Sequence, residues 1–574
     1  MRWAIGRGKA AATVVAAAAA LWASGAVMTG CGDDGVVLPS NINTLKFRSI
    51  SIAPNLKAEA PVDKVKPLNG MQGAPLPIVP GDPSLKTAYW GRLAGTQEQD
   101  GAHVGMVRVG SDTTCGISLE SIFPNGTADP SKPANYNFAT LDTHIGAVKE
   151  LNTATVLWQA AFRPGTGGVC DATSLGKQQG SVIPPGAQGE LWAQVAANTL
   201  RHLNGGASWD PAGNNFNVRY VEFMDDPTER LGYTDDALPG LFSIYKRFAE
   251  LAKAAFPDDP TEGPVVRLGG ISFTLRSLDD LSYTVAADKH GILRFIDFCA
   301  DNGVPLDFLS FRTRTRQPHE AYAIAAELRR YLNTHPADAA GRLERTELIA
   351  ASVEFDRDNP ELLARGILAE PVLESTYLGA FQAATRIFMQ EIPVHQMIAG
   401  RGPRVFQDLA THAGVDPASV ANLIVDSLYF DAAGRAQPAF MSLFPFRQVA
   451  GHRRVSVTSG ADGEGMAIMA SHDASSDRVL HVIVANANVL TGAGGLNADI
   501  TYDLRLENFV PATVPIVQYK LAVLDRNAVG VDSFHFSETG VLETIRSPTQ
   551  TSTAQVSFVH QMAVPSVHYI QFLR

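Results

Sequence analysis

The chain has 574 residues, of which 45% are hydrophobic and 18% are charged, and its formal net charge at pH 7 is -11. This length favours two or three domains rather than one compact core, and the composition excludes a disordered or fibrous protein. Because no basic stripe is present to neutralise phosphates, we do not expect nucleic acid as a partner.

The N-terminal segment, residues 1–31, has the pattern of an export signal. A basic start is followed by an alanine-rich apolar stretch that ends in Gly30-Cys31. This ending resembles a bacterial lipobox in which Cys31 is lipidated. The alternative is an uncleaved signal anchor, since the apolar stretch is nearly long enough to span a bilayer. With Gly32 after the cysteine and no retention signal, the lipobox predicts a lipid-anchored protein of the bacterial cell envelope, at the outer membrane or cell surface.

Two short segments follow the signal. Residues 32–44 are polar and contain glycine, aspartate and proline, which predicts a tether. Residues 45–63 begin with an alternating run, Leu45–Ile52, that is typical of a half-buried strand.

Three cysteines remain after Cys31, which permits one disulfide and one free thiol in an exported protein. Cys115 and Cys170 both fall in predicted loops after strands and are the favoured pair. Cys299 continues a helical apolar pattern and is predicted to be a buried thiol.

Residues 64–438 alternate short apolar runs with longer helical patterns. The predicted strands are Val65–Met71, Val104–Val109, Thr155–Phe162, Val218–Met224, Val265–Ile271, Leu306–Phe311, Leu348–Glu354 and Pro393–Ala399. This alternation requires a parallel sheet with right-handed crossovers, and eight strands close a (β/α)₈ TIM barrel, a fold of the α/β class. The rival is an open doubly wound sheet, which normally carries a glycine-rich phosphate turn, and no such turn is evident.

Residues 439–574 have a different sequence pattern, with strand-like segments, turn residues and almost no helical periodicity. The predicted strands are Arg454–Thr458, Gly465–Ser471, Val479–Ala485, Asp499–Leu506, Ile516–Leu524 and Val567–Phe572. This pattern predicts a C-terminal β-sandwich. The early strand within residues 45–63 is expected to join it.

Two of the predicted barrel strands end in acids. Asp225-Asp226 follow one strand and Glu354 ends another. Acids on separate strands at a barrel mouth suit a glycosidase, in which one carboxyl protonates the leaving oxygen and the other attacks or activates water. The alternative for Glu354 is a salt-bridged structural acid, and Glu222 is expected to belong to a polar network inside the barrel.

Five stretches of the chain resemble, in their order and spacing, those of a known protein family. They are Ile122–Asp142, with its Asn135-Tyr136-Asn137-Phe138, then Val221–Pro227, Leu306–Phe311, Ser352–Phe355 and Gly434–Phe440. Together they resemble glycoside hydrolase family 39, the β-xylosidases and α-L-iduronidases. The resemblance implies retaining hydrolysis of an oligo- or polysaccharide, β-xyloside-like or containing uronic acid, without a metal or organic cofactor.

Carried over by position, Glu354 would be the nucleophile and Asp226 the acid/base. Asp225 stands where an asparagine usually bonds the substrate's 2-hydroxyl, and Asp226 stands where the family has the longer glutamate. Arg312 replaces a frequent histidine; it could offset the charge of Asp225, or it could recognise an anionic sugar, since arginine binds carboxylates well. Glu229, on the loop after the strand, is an alternative acid.

The remaining predicted substrate contacts are aromatic and basic side chains near the predicted mouth. They are Trp158, Arg163, Phe355 and Tyr377. Two other functions stay open: a catalytically weak or inactive relative that binds glycans through the same cleft, and a surface adhesin or scaffold that uses the sandwich and needs neither acid.

Overall fold

The computed structural model describes most of one unit, Lys46–Arg574. The described residues are 47–52, 64–73, 102–110, 117–150, 154–162, 183–229, 231–285, 288–338, 341–401, 404–405, 424–425, 428–429, 436–459, 466–473, 476–488, 500–511, 516–528, 536–543, 545–546 and 553–574. The signal segment with Cys31, the tether, Arg163, Cys115 and Cys170 lie outside these residues.

The strands in chain order are β1 Phe47–Ile52, β2 Gly70–Gln72, β3 Met106–Val109, β4 Thr155–Ala160, β5 Tyr220–Asp225, β6 Arg267–Ser272, β7 Thr274–Leu275, β8 Phe308–Thr315, β9 Glu347–Phe355, β10 Val394–Arg401, β11 Arg404–Val405, β12 Ile424–Val425, β13 Arg453–Val455, β14 Val457–Ser459, β15 Met466–Asp473, β16 Ser476–Asn486, β17 Ile500–Pro511, β18 Ile516–Leu524, β19 Glu538–Glu543, β20 Ile545–Arg546, β21 Thr553–Met562 and β22 Ser566–Leu573. The α-helices are α1 Leu119–Ile122, α2 Ala139–Glu150, α3 Ala187–Asn204, α4 Leu238–Ala255, α5 Gly291–Asp301, α6 Pro318–Asn333, α7 Pro360–Ala364, α8 Pro371–Phe388, α9 Pro438–Met441 and α10 Phe444–Gln448.

Eight parallel strands form a closed barrel. Strands β2 to β6 pair in sequence, β8 to β10 continue the sheet, and β10 returns to β2. The ring closes where β6 pairs with β8, at Gly269 and Phe308. The short β7 pairs with β8 beyond this point. The predicted (β/α)₈ barrel is confirmed, and the open sheet is excluded because the ring leaves no edge between its first and last strands.

Glycine makes the closure of the barrel sterically feasible. A Cβ added to Gly269 would lie 2.2 Å from the carbonyl oxygen of Phe308, and one added to Gly270 would lie 2.7 Å from that of Phe223. Gly270 also has φ +91°, a region that side chains disfavour. The paired glycines therefore let β6 approach both of its neighbours.

The barrel has two apolar layers. Its interior is filled at the N-terminal end by a ring of side chains from six strands, namely Met106, Leu157, Tyr220, Phe308, Ile349 and Ile398. Outside the sheet, the helices present apolar stripes, as in α4, where Leu241, Ile244, Tyr245 and Phe248 recur at helical spacing and are buried. This packing leaves the C-terminal end of the barrel for polar groups.

The C-terminal strands form two sheets around a second core. Their orders are β14-β1-β17-β21-β20 and β13-β15-β16-β22-β18-β19, and Leu480, Tyr502, Leu504 and Phe572 are among the buried residues between them. The predicted β-sandwich is confirmed. Within it, β1 pairs in parallel with β17 and antiparallel to β14.

Two further observations concern individual predictions. Cys299 in α5 is a buried free thiol, as predicted, and burial raises its pKa. Among the described residues, no helix is both long and apolar enough to cross a lipid bilayer.

Candidate active site

Charged side chains meet inside the barrel because alternate residues of each strand face inward. On β8, Phe308 belongs to the interior ring, and Arg312 and Arg314 share its parity. On β5, Tyr220 belongs to the same ring, so Glu222 also faces inward. The sequence therefore carries two arginines and an acid from the packed layer towards the mouth.

The alternation on β5 breaks near the mouth. Met224 and Asp226 have φ +68° and +43°, left-handed values that cost non-glycine residues on the order of 1–3 kcal/mol each and concentrate at functional sites. Met224 packs in the core outside the sheet, and Asp225 rather than Asp226 follows Glu222 into the barrel. Simple alternation from Glu222 would have turned Asp226 inward, but the left-handed backbone brings Asp225 inward instead.

A buried chain of ion pairs links three barrel strands. Arg108 of β3 donates to Glu222 through Nε at 3.1 Å and Nη2 at 2.5 Å, and Gln159 donates to the same carboxylate at 3.2 Å. Asp225 lies between Arg108 Nη2 at 3.0 Å and Arg312 Nη1 at 2.9 Å. Glu222 therefore belongs to an interior polar network, as predicted, and burial raises its pKa although Arg108 opposes that effect.

Asp226 is enclosed by the turn that follows β5. Its side chain is 1% exposed, Thr274 donates a hydrogen bond to Oδ2, and Oδ1 accepts from Thr228 Oγ1 at 3.3 Å and the Glu229 amide at 3.2 Å. Burial and the nearby charge of Asp225 raise its pKa. This carboxyl thus favours the protonated form more than an exposed aspartate does, but protein groups surround it.

Glu354 is the penultimate residue of β9 and reaches the mouth of the barrel. Its side chain is 28% exposed, Ser352 Oγ donates to Oε1 at 3.0 Å, and Arg312 Nη2 lies 3.5 Å from the same oxygen. Arg314 Nη2 lies 3.9 Å from Oε2. Arg312 is therefore paired with both Asp225 and Glu354, which supports the interpretation that it offsets the charge of Asp225.

A second acid stands across the mouth, on the loop after β5. Glu229 is 32% exposed and accepts from Arg276 through Nε at 3.1 Å and Nη2 at 2.8 Å. Arg314 Nη1 approaches its other oxygen at 3.7 Å, so one guanidinium lies between Glu229 and Glu354. Neither Arg276 nor Arg314 is among the site residues predicted from the sequence, although the alternation from Phe308 through Arg312 indicates that Arg314 faces inward.

Trp158 does not line the mouth. Its neighbours on β4 face inward, since Leu157 belongs to the interior ring and Gln159 bonds Glu222. Trp158 therefore faces outward, where it is fully buried in the core between sheet and helices. The prediction that it stacks against a sugar is wrong.

Phe355 and Tyr377 are also core residues. Glu354 faces inward, so Phe355 faces the helices, and its ring lies 5.0 Å from that of Tyr377 and 6.2 Å from that of Phe381. Tyr377 is completely buried in α8. Their predicted contact with substrate is wrong, because Phe355 lies on the face of the sheet opposite the inward Glu354 and Tyr377 is enclosed in the hydrophobic core.

The fold was compared with known proteins. The sequence matches no protein-family model and no curated protein. Among solved structures, a glucosidase from Croceicoccus marinus aligns with a TM-score of 0.59 at 21% identity, covering 92% of this chain and 99% of that one. A monomeric β-xylosidase from Caulobacter crescentus CB15 aligns with a TM-score of 0.53 at 11% identity, covering 92% and 99%.

A third structure, N2152 from Neocallimastix frontalis, aligns with a TM-score of 0.52 at 12% identity, covering 92% of this chain and all of that one. These alignments cover nearly the whole length of each solved chain. The chain has the fold of these proteins. The fold that the family-39 resemblance implies, a (β/α)₈ barrel followed by a β-sandwich, is therefore confirmed.

Proposed function

We propose that this protein is a glycoside hydrolase in which Glu354 is the nucleophile. The observation that carries this proposal is the position of Glu354: it is a partly exposed acid at the C-terminal end of a barrel strand, where catalytic groups of such barrels lie. Ser352 and Arg312 fix the orientation of its carboxylate. Two of the solved proteins with this fold are a glucosidase and a β-xylosidase.

In the proposed retaining reaction, Glu354 attacks the anomeric carbon while the bond to the leaving oxygen breaks, and Asp226 gives that oxygen a proton. Water then attacks the anomeric carbon of the glycosyl ester and gives a proton to Asp226, while the bond between that carbon and the Glu354 oxygen breaks and frees the Glu354 carboxylate. The raised pKa of Asp226 suits a proton donor. Because its side chain is 1% exposed, the turn after β5 must open for the carboxyl to reach the substrate.

The proposed substrates are β-xyloside-like or uronic-acid-containing oligo- and polysaccharides at the bacterial cell envelope. The lipobox-like ending at Cys31 supports anchoring by lipid at the outer membrane or cell surface. The arginines at the mouth support an anionic sugar, because a guanidinium can bind a carboxylate through two hydrogen bonds.

A second candidate is a catalytically weak or inactive relative that binds glycans through the same cleft. The enclosure of Asp226 by Thr274 and Thr228 favours this candidate, because general acid catalysis requires the donor to lie within hydrogen-bond reach of the leaving oxygen.

Dinitrophenyl glycosides distinguish the two candidates, since this leaving group departs without protonation. The full-length protein would be assayed on the xyloside, glucoside, arabinoside and glucuronide beside Glu354→Gln. Turnover that disappears in the variant supports the hydrolase, and the preferred sugar names the substrate class. No turnover on any of these sugars would reject hydrolysis for the panel and favour the glycan-binding relative.

A further inference from the structure

The chain contains four asparagine–glycine pairs, and the hydrogen bonds around one of them differ from those around the others. The pairs are Asn69-Gly70, Asn125-Gly126, Asn204-Gly205 and Asn302-Gly303. Such a pair can lose ammonia when the glycine amide nitrogen attacks the asparagine carboxamide, because glycine has no Cβ to obstruct the attack. Hydrogen bonds of the fold can hold each of the reacting groups, so the fold decides which pair reacts.

Asn125-Gly126 begins an exposed turn in the loop after α1. The Ala128 amide donates to the carbonyl oxygen of Asn125 at 2.9 Å, and the Asn125 side chain is exposed to solvent. Its Oδ1 accepts two hydrogen bonds from Thr127, from the amide at 3.3 Å and from Oγ1 at 2.9 Å. Among the residues that the structure describes, no acceptor binds Nδ2 of Asn125 or the Gly126 amide.

Two of the other pairs are held inside the fold. Asn69 is completely buried. The side chain of Asn204 bonds the backbone of Val218 through Nδ2 at 2.9 Å and Oδ1 at 2.7 Å, and the Gly205 amide donates to the Arg201 carbonyl at 2.7 Å. The carboxamide and the attacking nitrogen of this pair are therefore both engaged.

Asn302-Gly303 is the best comparison, because this pair is also exposed. Nδ2 of Asn302 donates to the Phe298 carbonyl at 3.0 Å, and the Gly303 amide donates to the Ala300 carbonyl at 3.3 Å. Both the leaving group and the nucleophile of this pair are therefore held at the end of α5, whereas those of Asn125-Gly126 face solvent.

We propose that Asn125 is a modification site at which the chain deamidates without an enzyme. Solvent base removes the Gly126 amide proton, and the nitrogen forms a bond to Cγ of Asn125 while the C=O electron pair moves to Oδ1. The two donors of Thr127 stabilise this oxyanion. The electron pair then returns, the bond from Cγ to Nδ2 breaks, and Nδ2 takes a proton from water and leaves as ammonia, so that a cyclic succinimide remains.

Water opens the succinimide at either of its two carbonyls. Opening at Cγ gives aspartate, whereas opening at the main-chain carbonyl gives isoaspartate, in which the chain continues through Cγ. Both products carry a negative charge that Asn125 lacks. In isoaspartate the oxygen that accepts from the Ala128 amide becomes part of a side-chain carboxylate, so the turn changes its backbone path.

The test follows deamidation of the full-length protein in mildly alkaline buffer, with each asparagine quantified by peptide mass spectrometry. We expect Asn125 to react on the order of tenfold faster than Asn302, because hydrogen bonds hold both reacting groups of the second pair. Thr127→Ala removes the hydroxyl donor to Oδ1 and should slow the reaction of Asn125 about twofold to tenfold. The rate at Asn302 is the internal control and should not change.

Gly126→Ala tests the nucleophile. A Cβ at this position would lie 3.6 Å from Cζ2 of Trp192, an ordinary contact, so we expect the variant to fold and the reaction of Asn125 nearly to cease. An unchanged rate in this variant would overturn the inference. So would an Asn302 that reacts as fast as Asn125, or a Thr127→Ala variant that reacts at least as fast as the wild type.

Denaturation in urea separates the fold from the local sequence. In the unfolded full-length chain these hydrogen bonds are lost, and we expect the rates at Asn125 and Asn302 to converge. A difference that persists in urea would show that neighbouring residues alone select Asn125, and it would overturn the inference. This comparison carries the test if a variant does not fold, and none of these measurements depends on the proposed function.

Discussion

Asp225 and Arg312 form a buried ion pair of 2.9 Å that crosses the barrel interior from β5 to β8. Arg312 continues to Glu354 at 3.5 Å, and Arg108 holds the other oxygen of Asp225 at 3.0 Å. The strand that leads to Asp226 and the strand that carries Glu354 are therefore linked through one arginine. A change at Asp225 should affect both stability and the two cleft acids.

Asp225→Asn tests this link. Removing one member of a buried ion-pair network leaves charge uncompensated, so we expect the free energy of unfolding to fall by about 3 kcal/mol, measured by urea denaturation. Asp235→Asn, whose side chain is 79% exposed and pairs with Arg294 at 3.4 Å, is the control and should change stability by less than about 0.5 kcal/mol. Equal effects of the two substitutions would contradict the network.

The same substitution should lower the pKa of Asp226. Burial and the charge of Asp225 both raise that pKa, and Asp225→Asn removes the second cause. If Asp226 is the proton donor, the basic limb of the activity profile should move to lower pH in this variant, because the donor loses its proton earlier. An unmoved basic limb would show that another group donates the proton.

Leaving groups can identify the proton donor. Asp226→Asn should lower kcat/KM for 4-nitrophenyl and alkyl glycosides by about 10²- to 10⁴-fold, since these require general acid catalysis, and should affect dinitrophenyl glycosides far less. Glu229→Gln provides the comparison, because Glu229 is the more exposed acid of the same turn. If Glu229→Gln shows the dependence on leaving group and Asp226→Asn does not, the proton donor is Glu229.

Stability should also depend on pH through His202. Burial lowers the pKa of His202, but its contacts with Asp142 at 2.9 Å and Asp210 at 2.6 Å outweigh that effect and raise the pKa above 6.5. The charged form of His202 is therefore favoured in the folded state. Its contribution to the free energy of unfolding is fully present below pH 6.5 and is lost as pH rises through the pKa of the folded state.

His202→Asn removes this dependence. We expect the difference in unfolding free energy between wild type and variant to be largest in mildly acidic buffer and to shrink in alkaline buffer, as measured by denaturation across that range. A difference that grows with pH would show that folding lowers the pKa of His202 rather than raising it.

Tyr377→Phe should stabilise the protein. The Tyr377 hydroxyl is buried and has no hydrogen-bond partner among the residues that the structure describes, and burial raises its pKa. A buried hydroxyl without a partner costs its full desolvation, so we expect its removal to raise the free energy of unfolding by about 1 kcal/mol. Thermal and urea denaturation measure the change, and a loss of stability would show that the hydroxyl has a role in the fold.

Periodicity was enough to predict the barrel, because most of its eight strands are short apolar runs set between helical patterns, although the first strand, predicted at Val65–Met71, spans only Gly70–Gln72. It did not give the strands at Glu538–Glu543 and Thr553–Met562, although Val556 and Phe558 alternate in the second. Periodicity also did not predict which face of the sheet each side chain occupies. Strands that are buried on both faces are apolar throughout, so the sequence pattern of Trp158 and Phe355 fits a core residue and a mouth residue equally well.

The candidate site was predicted in part. The acids and Arg312 lie at or near the ends of their strands, as their positions predicted. The left-handed backbone at Met224 and Asp226 has no signal in the sequence, since neither residue is glycine, and it decides that Asp225 enters the barrel while Asp226 turns to Thr274. Contacts such as Arg276 with Glu229 depend on loop geometry that strand patterns do not encode.

The place of β1 in the sandwich has a consequence for biogenesis. This strand lies inside its sheet, between β14 and β17, and its residues from Phe47 to Ile52 pair with Thr501 to Leu506. During synthesis or export the strand emerges before the barrel, yet its partners emerge after it, so its backbone groups stay unpaired until the C-terminal region arrives. Unpaired strands of this kind are templates for aggregation. A chain truncated within the sandwich should therefore misassemble even though its barrel is complete, and residues 439–574 expressed alone should lack an interior strand.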